Sequence, residues 1–228
     1  MTTSAMSFAL SDRFSRTKPG FTPLMVSPVG DAFARHRDFF LLALLAIVLS
    51  GAFFFTDGNV GINLADEGYL WYGMRALKAG QVPIRDFQAY DPGRYVWSAL
   101  WSCLLGDGLV SMRLGCVVFQ CIGITCGLLA ARRITANRPT LVLIALLLVQ
   151  WMIPTYKVFE QSIALMAVWV AIMLTERPTI KRHFAAGLFV GIAAFMGRNH
   201  GLYNAVAFGL VIHRALCAYI NRRSHHED

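Results

Sequence analysis

Apolar blocks recur along nearly the whole chain after residue 38, and they limit its fold more than any other feature. They run Phe39 to Phe55, Leu109 to Ala131, Thr140 to Ile153, Val158 to Thr175, Phe184 to Met196 and Leu202 to Ile220. The longer blocks suffice to cross a bilayer as helices. The shorter ones, rising ~1.5 Å per residue, need their flanking residues or a locally thin bilayer. Hydrophobic residues make up 56% of the sequence and charged residues 15%, an imbalance that one soluble core cannot hide. The expected fold is therefore all-α, a polytopic transmembrane bundle of about six spans.

A net charge of +8 raises the question of nucleic acid, and the placement of the cations answers it. They sit in short loops between apolar blocks, the pattern of membrane orientation and anionic headgroups rather than of a nucleic-acid stripe. Membrane lipids, not nucleic acid, are the expected partners. Cys103, Cys116, Cys121, Cys126 and Cys217 lie in apolar surroundings without CxxC spacing, so they read as small membrane-helix residues. Residues 1–38 are polar, rich in Ser, Arg and Pro, and are expected to be a disordered cytoplasmic tail. Residues 39–220 form the membrane domain, with Phe39 to Phe55 as an uncleaved signal anchor, and 221–228 form a second cytoplasmic tail.

Arg94 to Ala131 decides the topology. Two spans there would turn the basic loops at 132–138 and 176–183, and the basic C-terminal end, outward, against the positive-inside rule. If Arg94 to Leu105 instead lies flat on the membrane, every basic loop returns to the cytoplasm. Fourteen of the 21 Lys and Arg residues then face inward: Arg13, Arg16, Lys18, Arg35, Arg37, Arg132, Arg133, Arg138, Arg177, Lys181, Arg182, Arg214, Arg222 and Arg223. Residues 57–108 become one outer loop carrying two juxtamembrane helices. The first starts at Asp66 as N-cap, presents Leu70, Met74 and Leu77 on one face, and stops at Gly80. The second starts with Asp91 as N-cap and Pro92 as its first residue, presents Trp97, Leu100, Trp101 and Leu104, and stops at Gly106.

The remaining cations, Arg75, Lys78, Arg85, Arg94, Arg113, Lys157 and Arg198, fall on the outer side together with Asp66, Glu67, Asp91, Asp107 and Glu160. Ionisable groups at helix ends tend to face protein or a watery cavity, so an outward-opening polar cavity is expected. Bland roles stand beside this one: Asp66 as an ordinary N-cap, Lys157 and Glu160 as an i,i+3 ion pair, and Asp107 as a cap for the helix that carries Arg113. The chemical reading is that one carboxylate of the pair Asp66 and Glu67 takes a proton from an attacking hydroxyl while basic residues hold a phosphate leaving group. A divalent metal, Mg²⁺ or Mn²⁺, on Asp66, Glu67 and Asp91 is compatible with the residue types, but nothing in the spacing requires it.

The stretches Asp66-Glu67-Gly68-Tyr69-Leu70-Trp71-Tyr72-Gly73, Gly80-Gln81-Val82-Pro83 and Tyr90-Asp91-Pro92-Gly93-Arg94-Tyr95-Val96-Trp97 resemble the first outer loop of GT-C membrane glycosyltransferases. The types most similar are the protein O-mannosyltransferases and the lipid A aminoarabinose transferases. The resemblance covers roughly residues 39–220, with its specificity confined to the outer loop. It implies a glycosyltransferase of the cell envelope, in the bacterial inner (plasma) membrane, with its active face periplasmic or extracellular. Such an enzyme moves a sugar from a polyprenyl-phosphate donor to a hydroxyl of a glycan, lipid or protein acceptor. By resemblance, Asp66 is the catalytic carboxylate and Glu67 its partner. Arg113 matches a recurring arginine just after the second juxtamembrane helix, Arg198 and His200 lie near a basic position that approaches the donor phosphate, and Glu160 sits near a recurring acid; Lys157 and Arg113 join the phosphate-holding set from the placement of charge alone. Relatives often carry Pro-Pro after a His or Lys where this chain has Asp91-Pro92-Gly93-Arg94, which moves a donor contact to Arg94. Members usually continue through further spans, so the match is to an N-terminal portion, and a partner chain is an expected way to complete the site. The competing expectation is a non-catalytic lipid-phosphate-binding or assembly subunit with the same fold.

Overall fold

The computed structural model describes residues 28–58, 60–153 and 157–227, and within them the chain is all-helical. Eight helices follow one another among these residues: α1 (Pro28–Asp57), α2 (Glu67–Lys78), α3 (Pro92–Leu105), α4 (Leu109–Ala131), α5 (Arg138–Trp151), α6 (Val158–Glu176), α7 (Ile180–Met196) and α8 (Arg198–Glu227). Each apolar block lies within one helix or overruns it by no more than two residues, because an uninterrupted apolar run in lipid must satisfy its backbone internally. The chain is already helical from Pro28, and α8 runs on to Glu227, whereas Arg13, Arg16 and Lys18 lie outside the described residues.

Among the described residues three helical stretches are long and apolar enough to cross a bilayer, as an integral membrane protein requires: His36–Thr56, Leu109–Ala131 and Val158–Glu176. The apolar α5 has 14 residues and α7 has 17, rising only ~21 and ~26 Å against a hydrocarbon thickness of ~30 Å. The apolar stretch of α8 is interrupted by His213 and Arg214.

The most extensive packing among the described residues is between α4 and α6, where small residues let two backbones approach. A Cβ added at Gly123 would fall 2.5 Å from that of Ser162, and Gly127 meets Leu165 and Leu148. Around this seam, Met112, Cys116, Phe119, Ile124 and Leu128 of α4 and Val158, Phe159 and Ile163 of α6 join one buried cluster, which Leu42 and Ala46 of α1 also enter.

α2 and α3 form a layer over one end of that seam. Leu70 and Met74 of α2 are buried and Leu77 is half-buried against the same core, the face expected from their spacing. Gly80 (φ 83°) and Gly106 (φ 94°) follow the two helices in the left-handed region that glycine adopts without a Cβ clash, at the stops expected of them. The stripe expected on α3 divides instead. Trp97 and Trp101 turn onto α4, the former donating from Nε1 to the Gly115 carbonyl at 2.8 Å, while Leu100 and Leu104 stay exposed. The buried face of α3 is Tyr95 together with Gly93, Ser98, Ala99 and Ser102, four small residues that let the helix lie close to its neighbours.

Candidate functional site

The site is built from the helix starts and ends that meet above the α4–α6 seam. Gly93, on the first turn of α3, makes room for the end of α7: a Cβ there would fall 2.6 Å from the Met196 sulfur. That close approach sets Arg94 between three elements. Its Nε donates to the Met196 carbonyl at 3.0 Å, one terminal nitrogen lies 3.2 Å from Asp91 Oδ2, and the other lies 2.8 Å from Glu160 Oε1 on α6. Asp91 in turn accepts from the backbone N–H of Arg198 at the start of α8 (3.2 Å), and the Arg198 guanidinium stands over the Tyr90 ring at 4.9 Å. Glu160 Oε2 is buried with no hydrogen-bond partner among the described residues, an open acceptor beside Arg94.

Two adjoining cavities share Tyr90, Asp91, Arg94 and Glu160. The first, of 260 Å³, is completed by Ala65, Asp66, Tyr69, Leu70, Tyr95 and Lys157; the second, of 330 Å³, by Gly197, Arg198, Asn199 and His200. The structure thus brings together Asp66, Asp91, Arg94, Lys157, Glu160, Arg198 and His200 around two adjoining cavities that form one cleft region. Lys157 Nζ lies 3.6 Å from Asp66 Oδ2, with both side chains about half exposed. Lys157 pairs with Asp66, and Glu160 with Arg94. Burial pushes the Tyr95 hydroxyl on the cleft wall up to about 12, with the neighbouring Tyr69 adding to the shift.

Two residues expected at the cleft are elsewhere. Glu67 is 3% exposed and points away from Asp66 into a closed pair with Arg113: Arg113 Nε to Glu67 Oε1 is 2.5 Å and Nη2 to Oε2 is 2.8 Å. Arg113 also donates to the carbonyls of Gly58 (2.6 Å) and Gly61, so its guanidinium ties the start of the outer loop to α2 and α4. Neither residue lines either cavity. The oxygen set of Asp66, Glu67 and Asp91 considered for a metal is therefore not gathered. Among the described residues no group of three or more His, Cys, Asp and Glu side chains has metal-binding geometry.

Asp66 occupies the N-cap position of α2, yet its side chain makes no cap bond. Asn63 does that work: its Oδ1 accepts from the N–H groups of Ala65 (3.1 Å) and Asp66 (3.3 Å), and its carbonyl accepts from those of Glu67 and Gly68, both at 3.0 Å. The Asp66 carboxylate is left to face the cleft. Asp107, expected to cap α4, instead meets Lys78 Nζ and accepts from Ser102 Oγ at 2.5 Å. Lys78 first, then Ser102, holds its carboxyl below the usual carboxylate range.

No family model, no curated protein and no solved structure matches this chain. The site therefore stands on its geometry. Tyr69, Tyr90 and Tyr95 were given no role on the sequence, although Tyr69 follows Asp66 by three residues and so shares its helix face, and Tyr90 adjoins Asp91. Asn63 carried a usable signal too, as an Asx residue just ahead of a helix start.

Proposed function

We propose that the chain is a membrane glycosyltransferase that transfers a sugar from a polyprenyl-phosphate donor to an acceptor hydroxyl, with Asp66 as the base. The observation that carries this reading is the cavity in which Asp66 faces Lys157 and Arg94, adjoined across Tyr90, Asp91, Arg94 and Glu160 by a second cavity lined by Arg198 and His200. A base for the hydroxyl and cations for the departing phosphate are the two things such a transfer needs. Arg94 and Lys157 lie against carboxylates of the cleft. The pairing of Lys157 with Asp66 is half exposed and so holds weakly; a donor phosphate that draws Lys157 toward itself leaves Asp66 for the acceptor hydroxyl. Glu67 and Arg113, buried together, position this helix start and take no part in the chemistry.

The reading assigns six spans, α1 and α4 to α8, with both termini cytoplasmic, α2 and α3 lying at the outer surface, and the cleft opening outward at headgroup level. In this arrangement α5 and α7 cross with help from flanking residues. The placement in a bacterial inner membrane rests on the resemblance of the outer loop to GT-C enzymes.

Transfer from a labelled polyprenyl-phosphate sugar pool, measured in membranes holding the chain with candidate partner chains, should occur with the wild type and be lost with Asp66→Asn. Equal transfer by both, or none by the wild type, sinks the assignment and leaves a non-catalytic binder of lipid phosphates. Topology has its own test: single cysteines at positions 135 and 179, in a background free of the native cysteines, should resist a labelling reagent added from outside.

A further inference from the structure

The largest cavity described lies at the other end of the molecule. It measures 430 Å³ and is lined by Arg37, Asp38, Leu41, Leu42 and Leu45 of α1, Leu141 and Val142 of α5, and Arg132, Ala136 and Arg138 around the α4–α5 turn. α4 separates it from the α2–α3 layer: Trp71 of α2 donates to the Asp107 carbonyl just before the helix starts at Leu109, and Arg132 follows its last residue, a rise of ~35 Å from Leu109.

Its lining has two halves. The mouth carries three arginines and one aspartate. Arg132 is engaged by Asp38, Nη2 to Oδ2 at 3.0 Å and Nε to Oδ2 at 3.1 Å, which fixes α1 against the end of α4. Arg37 and Arg138 have no acidic partner among the described residues, so the mouth keeps a surplus of two positive charges. The first turn of α5 also opens here, with no side-chain cap from Asn137, and adds the positive end of a helix dipole. Below the mouth the lining is aliphatic. Leu42 and Leu141 are buried and form the floor, while Leu41 and Val142 are exposed on the outer sides of two apolar helices, where acyl chains run. A free anion would match the mouth and leave the leucine half unused.

We infer that this cavity is a binding site for an anionic glycerophospholipid of the surrounding leaflet. The phosphate sits between Arg37 and Arg138, and one acyl chain lies along Leu41, Leu45 and Val142. Arginines at helix ends commonly reach headgroups one by one; here two helices and a turn close around a volume, with the charge at one end of it and the apolar surface at the other. The site is independent of any transfer chemistry in the opposite cleft.

Native mass spectrometry of the full chain, released from detergent micelles with phosphatidylglycerol or phosphatidylcholine of identical acyl chains, tests this. The wild type should retain phosphatidylglycerol and not phosphatidylcholine, with glycerol 3-phosphate failing to displace the lipid. Arg37→Gln/Arg138→Gln should need about 30-fold more phosphatidylglycerol, the loss expected for two arginines at a headgroup. Arg177→Gln/Lys181→Gln, with the same change in net charge, should bind as the wild type does. Equal retention of the two lipids by the wild type overturns the site without any variant. So does equal loss in both double variants, or displacement by glycerol 3-phosphate.

Discussion

Asp66 and Glu67 are adjacent in the sequence and opposite in fate. Glu67 is 3% exposed and locked to Arg113, whereas Asp66 is about half exposed and faces a cleft. One residue along a helix start turns a side chain by ~100°, enough to send one carboxylate into the protein and the other toward solvent. The two carboxylates of the acidic pair differ in what holds them. A buried, doubly hydrogen-bonded ion pair is a fixture whose removal strands a charge, while an exposed pair at 3.6 Å exchanges partners at little cost.

The largest expected effect comes from breaking the buried pair. Arg113→Met leaves Glu67 without its partner and should cost ~3–5 kcal/mol, visible as a large drop in the melting temperature of the purified protein. A melting curve unchanged from wild type would falsify the assignment of this pair as structural. Next, Arg94→Met removes the ties to Asp91, Glu160 and the Met196 carbonyl; a loss of ~2 kcal/mol is expected from a partly buried charged hub, measured the same way. Smaller still is Asp66→Asn, which should shift stability by no more than ~0.5 kcal/mol while abolishing transfer. A melting shift as large as that of Arg113→Met would erase the contrast between the two acids.

The smallest effect is a pH dependence at the exposed Lys78–Asp107 contact. Lys78 and then Ser102 lower the Asp107 pKa from 3.8, so the folded state favours the ionised carboxylate. Its contribution is full above that ordinary value and disappears as the pH falls through the lowered folded value. Melting temperatures of wild type and Asp107→Asn should differ slightly near neutrality and converge in strong acid; a difference that grows on acidification contradicts the pairing.

Much of the fold was legible in the residue order. Each apolar block became part of one helix, Leu109 to Ala131 with the same limits, and Gly80 and Gly106 followed the ends of α2 and α3, because apolar run length and turn chemistry are local properties. The site was legible in membership more than in arrangement. Asp91, Arg94, Glu160, Arg198 and His200 do meet, but Arg113 does not join them, and the face of α3 that packs is not the one its tryptophans and leucines marked. Helical spacing places side chains on a face without saying which neighbour waits there.

By itself the sequence determined an all-helical membrane protein with its charges collected at helix ends, since the cost of exposing apolar runs to water and of burying charge in lipid is set residue by residue. Tertiary structure alone decided which charge meets which. Arg113 reaches Glu67 across 46 positions and Arg94 reaches the Met196 carbonyl across 102, contacts that depend on how closely Gly93 and Gly123 let the helices approach. That packing divided the acidic pair, burying Glu67 and leaving Asp66 to the cleft.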